Sequence, residues 1–211
     1  MFAVRNPIWV KIQDRKSFIL SIIESFPYMK KAYEEKSLSE IEQIAQKTAG
    51  GDKEIEDSIR SQYRNYFYDC QDYENSFLQA MLIMVYSYYE SCANLIKNDF
   101  CSNNTKKEGC DVVSYICDVK SVNLPCDIKE DKSFLYRQVR ELRNFLVHNN
   151  TTNPKTPNQL DAINLITQTY REIKYEDNEI IITDKRCIID ILEKEYRVLK
   201  HICQTIGICK M

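Results

Sequence analysis

Leu78, Met81, Leu82, Val85, Tyr89, Cys92 and Ile96 recur at three- and four-residue intervals, the spacing of one face of an α-helix. Ile83, Tyr86 and Ala93 make much of the remaining circumference apolar as well. A helix that is apolar nearly all round belongs at the centre of a fold. Residues 74–99 are therefore expected to form a central helix with others packed about it. Glu90 is the one acid in its middle, and burial there is costly without a partner.

The rest of the chain agrees with a helical architecture. Only 4 Gly and 5 Pro occur in 211 residues, so turns are few and elements long. The length suits one domain with a real core that needs no disulfide staples. Asp14 reads as the cap of a helix through Phe18, Ile19, Ile22 and Ile23, interrupted or kinked at Pro27. A second start at Ser39 runs to Gly50-Gly51, and Asp52 caps a third helix. Residues 100–130 read as a long connection with a short element near 112–117. Residues 149–159, with two prolines and four asparagines, read as a loop, with a short helix over 160–169. Residues 173–183 predict a β-hairpin turning at Asp177-Asn178. Asp184 then caps a last helix through Ile188, Ile191, Leu192, Tyr196, Leu199 and Ile202. Within it, Glu193-Lys194-Glu195 reads as solvated surface, and His201 as a histidine at the core edge. The expected fold is all-α in the main: an up-and-down bundle around four helices with one small hairpin near the C-terminus. One domain over 1–211 is expected, with its core best marked over 70–206 and residues 1–69 less clearly assigned.

Charge excludes a generally basic protein. With 29 basic and 31 acidic residues the net charge is −2, so an anionic partner needs a local patch. No apolar run approaches the ~18 residues of a membrane span, and the N-terminus lacks a charged-then-apolar leader. These features predict a cytosolic protein with reduced thiols, despite nine cysteines. Cys101, Cys110, Cys117 and Cys126 do not have zinc-knuckle spacing, and with only two histidines no metal or other cofactor is expected.

Acid–base and anion-binding groups meet on one short helix, Arg137-Gln-Val-Arg140-Glu-Leu-Arg143-Asn144-Phe-Leu-Val-His148. On a wheel of 100° per residue, Leu135, Val139, Leu142 and Leu146 fall within about 60°. Arg137, Arg140, Asn144 and His148 fall on the opposite face within about 80°, with Arg143 on its flank. Cleavage of an RNA phosphodiester fits these groups. Histidine moves the proton of a 2′-OH or of a leaving 5′-oxygen, and arginine holds the non-bridging oxygens. The reaction wants both a base and an acid, yet one chain supplies one such histidine. Two copies of His148 meeting across a dimer axis meet that need, with Phe145 and Val147 at the interface.

The stretch Arg140-Glu-Leu-Arg143-Asn144-Phe-Leu-Val-His148-Asn149 resembles the signature of the HEPN superfamily, an arginine followed after four to six residues by histidine. Residues 84–91, Met84-Val-Tyr-Ser-Tyr-Tyr-Glu90-Ser, are similar to that family's apolar helix with a central acid. The likeness covers about 70–206, most firmly these two helices. It implies a helical, metal-independent endoribonuclease acting as a homodimer, of a kind common among bacterial toxin–antitoxin and anti-phage systems. Cleavage would leave a 2′,3′-cyclic phosphate and a 5′-OH. Arg143 and His148 carry over as catalytic and Asn144 as positioning. Arg140, Arg137 and Glu90 are supporting or RNA-binding residues, with Glu90 expected to pair with Arg143 or Arg140. The expected partners are RNA, a second copy of the chain and an antitoxin protein. The alternative is a non-catalytic module of the same fold that binds RNA, a nucleotide or a protein.

Overall fold

The computed structural model describes residues 6–68, 70–101, 111–148 and 156–209. The fold is mainly α, with one two-stranded antiparallel hairpin near the C-terminus, as the sequence predicts. In chain order the elements are α1 (Pro7–Ala49), α2 (Lys53–Tyr68), α3 (Cys70–Phe100), α4 (Val112–Lys120) and α5 (Cys126–Phe134). A π turn (Leu135–Val139) joins α5 to α6 (Arg140–His148). There follow α7 (Pro157–Thr169), β1 (Ile173–Glu176), β2 (Glu179–Ile182) and α8 (Arg186–Thr205). Among the described residues no helix is long and apolar enough to cross a membrane.

The chain divides into two compact units, residues 21–77 and residues 1–20 with 78–211. In the smaller unit, Phe26 stacks on Phe77 with ring centroids 3.9 Å apart, and Tyr33 on Tyr73 at 5.5 Å. Arg60 gathers Glu42, Glu56 and Asp57 within 2.9 Å. Gly50 and Gly51 both hold positive φ, where a side chain would be strained. Asp52 then accepts from the Glu54 amide at 2.9 Å and starts α2, as expected.

The N-terminal helix corrects two expectations. It does not begin at Asp14 but at Pro7, where the ring's fixed φ suits a first helical position. Asn6 is its cap, taking the Ile8 amide at 2.9 Å. Nor does Pro27 break it; one helix runs to Ala49, the good helix formers on both sides outweighing the single missing hydrogen bond.

The larger unit is built around the far part of α3. All seven residues of the predicted stripe, Leu78 to Ile96, are buried. Trp9, in the first turn of α1, stacks on Tyr196 of α8, and the Tyr88 hydroxyl donates to the Ile12 carbonyl. The hairpin pairs Ile173 with Ile182 and Tyr175 with Ile180, turning through positive φ at Asp177 and Asn178 as predicted. Gln79 of α3 donates to the Ile180 carbonyl at 2.6 Å and ties the hairpin to the central helix.

Three boundaries differ from the sequence reading. Residues 112–120 form a full helix, capped by Asp111, and not a short turn. The Arg/His helix starts at Cys126, after Pro125, inside the stretch 100–130 that reads as a connection. Asp131 is buried and ion-paired at 2.6 Å with Arg197. Burial raises its pKa, and Arg197 and Lys194 oppose that rise. Thr156 caps α7, with Pro157 in its first turn, so 157–159 of the expected loop are helical, and 149–155 lie outside the described residues. The fourth correction concerns Glu195. It is fully buried in α8 rather than solvated, and neither carboxylate oxygen has a hydrogen-bond partner among the described residues. Burial, and then the charge of Glu90, push its pKa well above the ordinary carboxylate range.

Candidate active site on the arginine–histidine helix

One continuous helical run from Cys126 to His148 carries the motif. Its apolar side is the predicted one: Leu135, Val139 and Leu142 are completely buried and Leu146 nearly so. α5 and the π turn pack on α8, while the π turn and α6 pack on α7. This stripe fixes which way the polar side faces. Arg137 and His148 are exposed; Arg140, Arg143 and Asn144 are half-buried.

Phe145 departs from the expected arrangement. It is 2% exposed, because the hairpin covers that flank and the Tyr175 ring meets it edge-on at 6.1 Å. It is therefore core and no interface residue. Val147 does face outward, at 43% exposure.

Arg143 and Asn144 form the centre of the site. Arg143 Nη1 donates to Asn144 Oδ1 at 3.1 Å. Its Nε is buried and has no acceptor among the described residues. A buried, unmatched guanidinium N–H costs on the order of 1–3 kcal/mol. Five residues on, His148 closes α6 with its ring in solvent. On a regular helix Arg143 and His148 leave the axis about 140° apart. Asn144 stands one turn before His148, on the same face. Its hydrogen bond to Arg143 draws the guanidinium toward the histidine's side.

Arg140 lays its guanidinium over the Tyr136 ring, 4.9 Å from the centroid. Its charge also reaches the buried phenol of Tyr86 on α3. That phenol is held well above its usual range by burial and by Glu90, with Arg140 opposing. Glu90 itself is exposed, on the solvent strip of α3 with Ser91 and Asn94. Among the described residues it makes no ion pair with Arg140 or Arg143. The expectation of a buried, paired acid is thus overturned, because α3 is not apolar all round but leaves one narrow face in water. Comparisons of the chain with protein-family models, with curated proteins and with solved structures return no match.

Two features of the site escaped the sequence reading. One is the π turn, which inserts its wider turn five residues before the motif proper. The other is a groove of about 460 Å³ beside Arg137, bounded by α4 and by Lys129, Lys132 and Tyr136. The lysines were visible, but α4 was not expected as the facing wall. The remaining chemistry-bearing groups lie elsewhere. His201 is half-buried, 3.3 Å from the Asn123 carbonyl. Cys92, Cys187 and Cys203 are buried, and burial lifts their thiols to about 11, about 12 and about 12 respectively.

Proposed function

We propose that the protein is a metal-independent endoribonuclease of HEPN type. Its reaction centre would be built from Arg143, Asn144 and His148. The observation that carries the reading is the Arg143 guanidinium, braced by Asn144 at 3.1 Å, its buried Nε without an acceptor among the described residues, five residues before an exposed histidine. The planar donor fork of the half-buried guanidinium suits the non-bridging oxygens of a phosphodiester.

In the reaction, His148 of one copy takes the proton of the 2′-OH as its oxygen bonds to phosphorus. The bond from phosphorus to the 5′-oxygen breaks, and His148 of a second copy gives that oxygen a proton. The products are a 2′,3′-cyclic phosphate and a 5′-OH. Arg143 stabilises the charge that builds on the non-bridging oxygens. The outward-facing Val147, beside His148, supports a contact between two α6 helices. Glu90, exposed and unpaired with either arginine, has no part in positioning them.

The test is the chemistry of the ends. The protein is incubated with transfer RNA and mixed RNA in EDTA, and the termini of the fragments are mapped. Cyclic phosphate and 5′-OH ends support the reading. Fragments with 3′-OH and 5′-phosphate ends overturn it, and uncut RNA favours the non-catalytic binding module.

A further inference from the structure

The groove beside Arg137 has cations that the fold does not use. Some basic side chains of this unit are tied to acids: Lys16 to Glu193, Lys194 to Asp190 and Arg197 to Asp131, each at 2.6 Å. Lys129, Lys132 and Arg137 converge on one concavity of about 460 Å³, and among the described residues none has a carboxylate within ion-pair distance. The one acid lining it, Asp111, is engaged in capping α4, accepting from both the amide and the hydroxyl of Ser114. Three like charges left together in this way repel one another until an anion joins them.

The π turn aligns these cations with the motif. Its i→i+5 bond joins the Arg140 amide to the Leu135 carbonyl, and Arg137, inside the turn, lines the same groove as Lys132. Arg140, Asn144 and His148 then follow at intervals of three, four and four on the same side. The resulting stripe, from Lys129 to His148, is roughly 28 Å long at 1.5 Å per residue. Glu141 is the only acid on it. Tyr136 joins the two halves, since it lines the groove and carries Arg140 over its ring. The groove floor is apolar where Val122 and Leu124 are buried, and its size falls in the ~300–1,000 Å³ range of small-ligand pockets.

We propose that this groove holds one nucleotide of a single-stranded RNA, several positions from the phosphate at Arg143 and His148. Lys129, Lys132 and Arg137 bind its phosphates, and the apolar floor receives a base face. This rests on the reading of the motif as an RNA site. Single-stranded RNA fits because its bases are free to leave a stack, whereas those of a duplex are not.

Binding is measured by fluorescence anisotropy with a labelled single-stranded RNA, using the full-length His148→Ala protein so that nothing is cut. The salt dependence is compared with and without Lys129→Gln/Lys132→Gln. Losing two phosphate contacts weakens binding about tenfold or more and flattens the slope of log affinity on log salt by about 1.4. Lys129→Arg/Lys132→Arg keeps both, and duplex RNA shows no such difference. Unchanged affinity and slope in the glutamine variant overturn the inference, and leave the nuclease reading to stand or fall on cleavage alone. A groove-dependent slope in a protein whose wild type cuts no RNA keeps the inference and removes the nuclease.

Discussion

The Arg143 guanidinium donates from Nη1 to the amide oxygen of its own neighbour, Asn144, at 3.1 Å. Adjacent residues on a helix point about 100° apart, so the bond needs the long arginine side chain to bend toward the face that His148 shares. Asn144 is in this sense a brace. Asn144→Ala is predicted to lower kcat for RNA cleavage about tenfold, the worth of one hydrogen bond of roughly 1–1.5 kcal/mol. Steady-state kinetics should show the loss in kcat more than in KM, with thermal unfolding almost unchanged because Asn144 is only half-buried.

Phe145 marks where an ideal wheel does not decide. Counting 100° per residue puts it midway between the leucine stripe and the polar face, and the hairpin decides its burial, against Tyr175. Phe145→Ala is predicted to destabilise the fold by about 3–5 kcal/mol. Denaturant unfolding measures this directly. A loss below about 1 kcal/mol would mean that the hairpin does not cover this flank.

Glu195 predicts a pH effect of definite sign. Its carboxyl keeps its proton in the fold, through burial and the nearby charge of Glu90, and releases it in the unfolded chain near 4.5. The contribution of this group is therefore fully present below that value and is lost as pH rises toward the folded-state pKa. Replacing it by Glu195→Met removes two buried oxygens without partners and is predicted to raise Tm at pH 7. The gain over wild type should shrink as pH falls toward 4. An equal difference at pH 4 and pH 8 would contradict the account.

Val147 tests the shared site. Val147→Glu places a charge on an outward side chain next to His148, 43% exposed in the single chain. Sedimentation should show a dimer of wild type and a monomer of the variant. Cleavage should fall with the dimer while circular dichroism stays helical. A wild-type protein that is monomeric at concentrations where it cleaves RNA would remove the two-copy mechanism.

The stripes of α3 and α6 and the hairpin were legible because each rests on local periodicity or turn chemistry. Leu78 through Ile96, Leu135 through Leu146 and Asp177-Asn178 all lie where spacing alone places them. What spacing could not carry was tertiary. Pro27 looks like a break, but the helix formers around it continue α1. Glu90 and Glu195 looked like a buried and a solvated acid, and the fold reverses the two. Glu90 lies off the apolar stripe of α3, whereas Glu195 stands three or four residues from Ile191, Leu192, Val198 and Leu199, in the middle of the buried face of α8. The π turn was hidden because no residue type encodes it. Among the site residues, the side on which Arg137, Arg140, Asn144 and His148 lie was readable, but the Asn144 bond to Arg143 and the facing wall of α4 were not.

The central claim is that His148 and Arg143 cleave RNA. The most direct measurement is the single-turnover rate on single-stranded RNA in EDTA for wild type, His148→Ala and Arg143→Ala, each checked for folding. Loss of a general acid–base group predicts a rate lower by about 10²–10⁴-fold for His148→Ala, and a comparable fall for Arg143→Ala. Cleavage by His148→Ala at the wild-type rate would contradict the account.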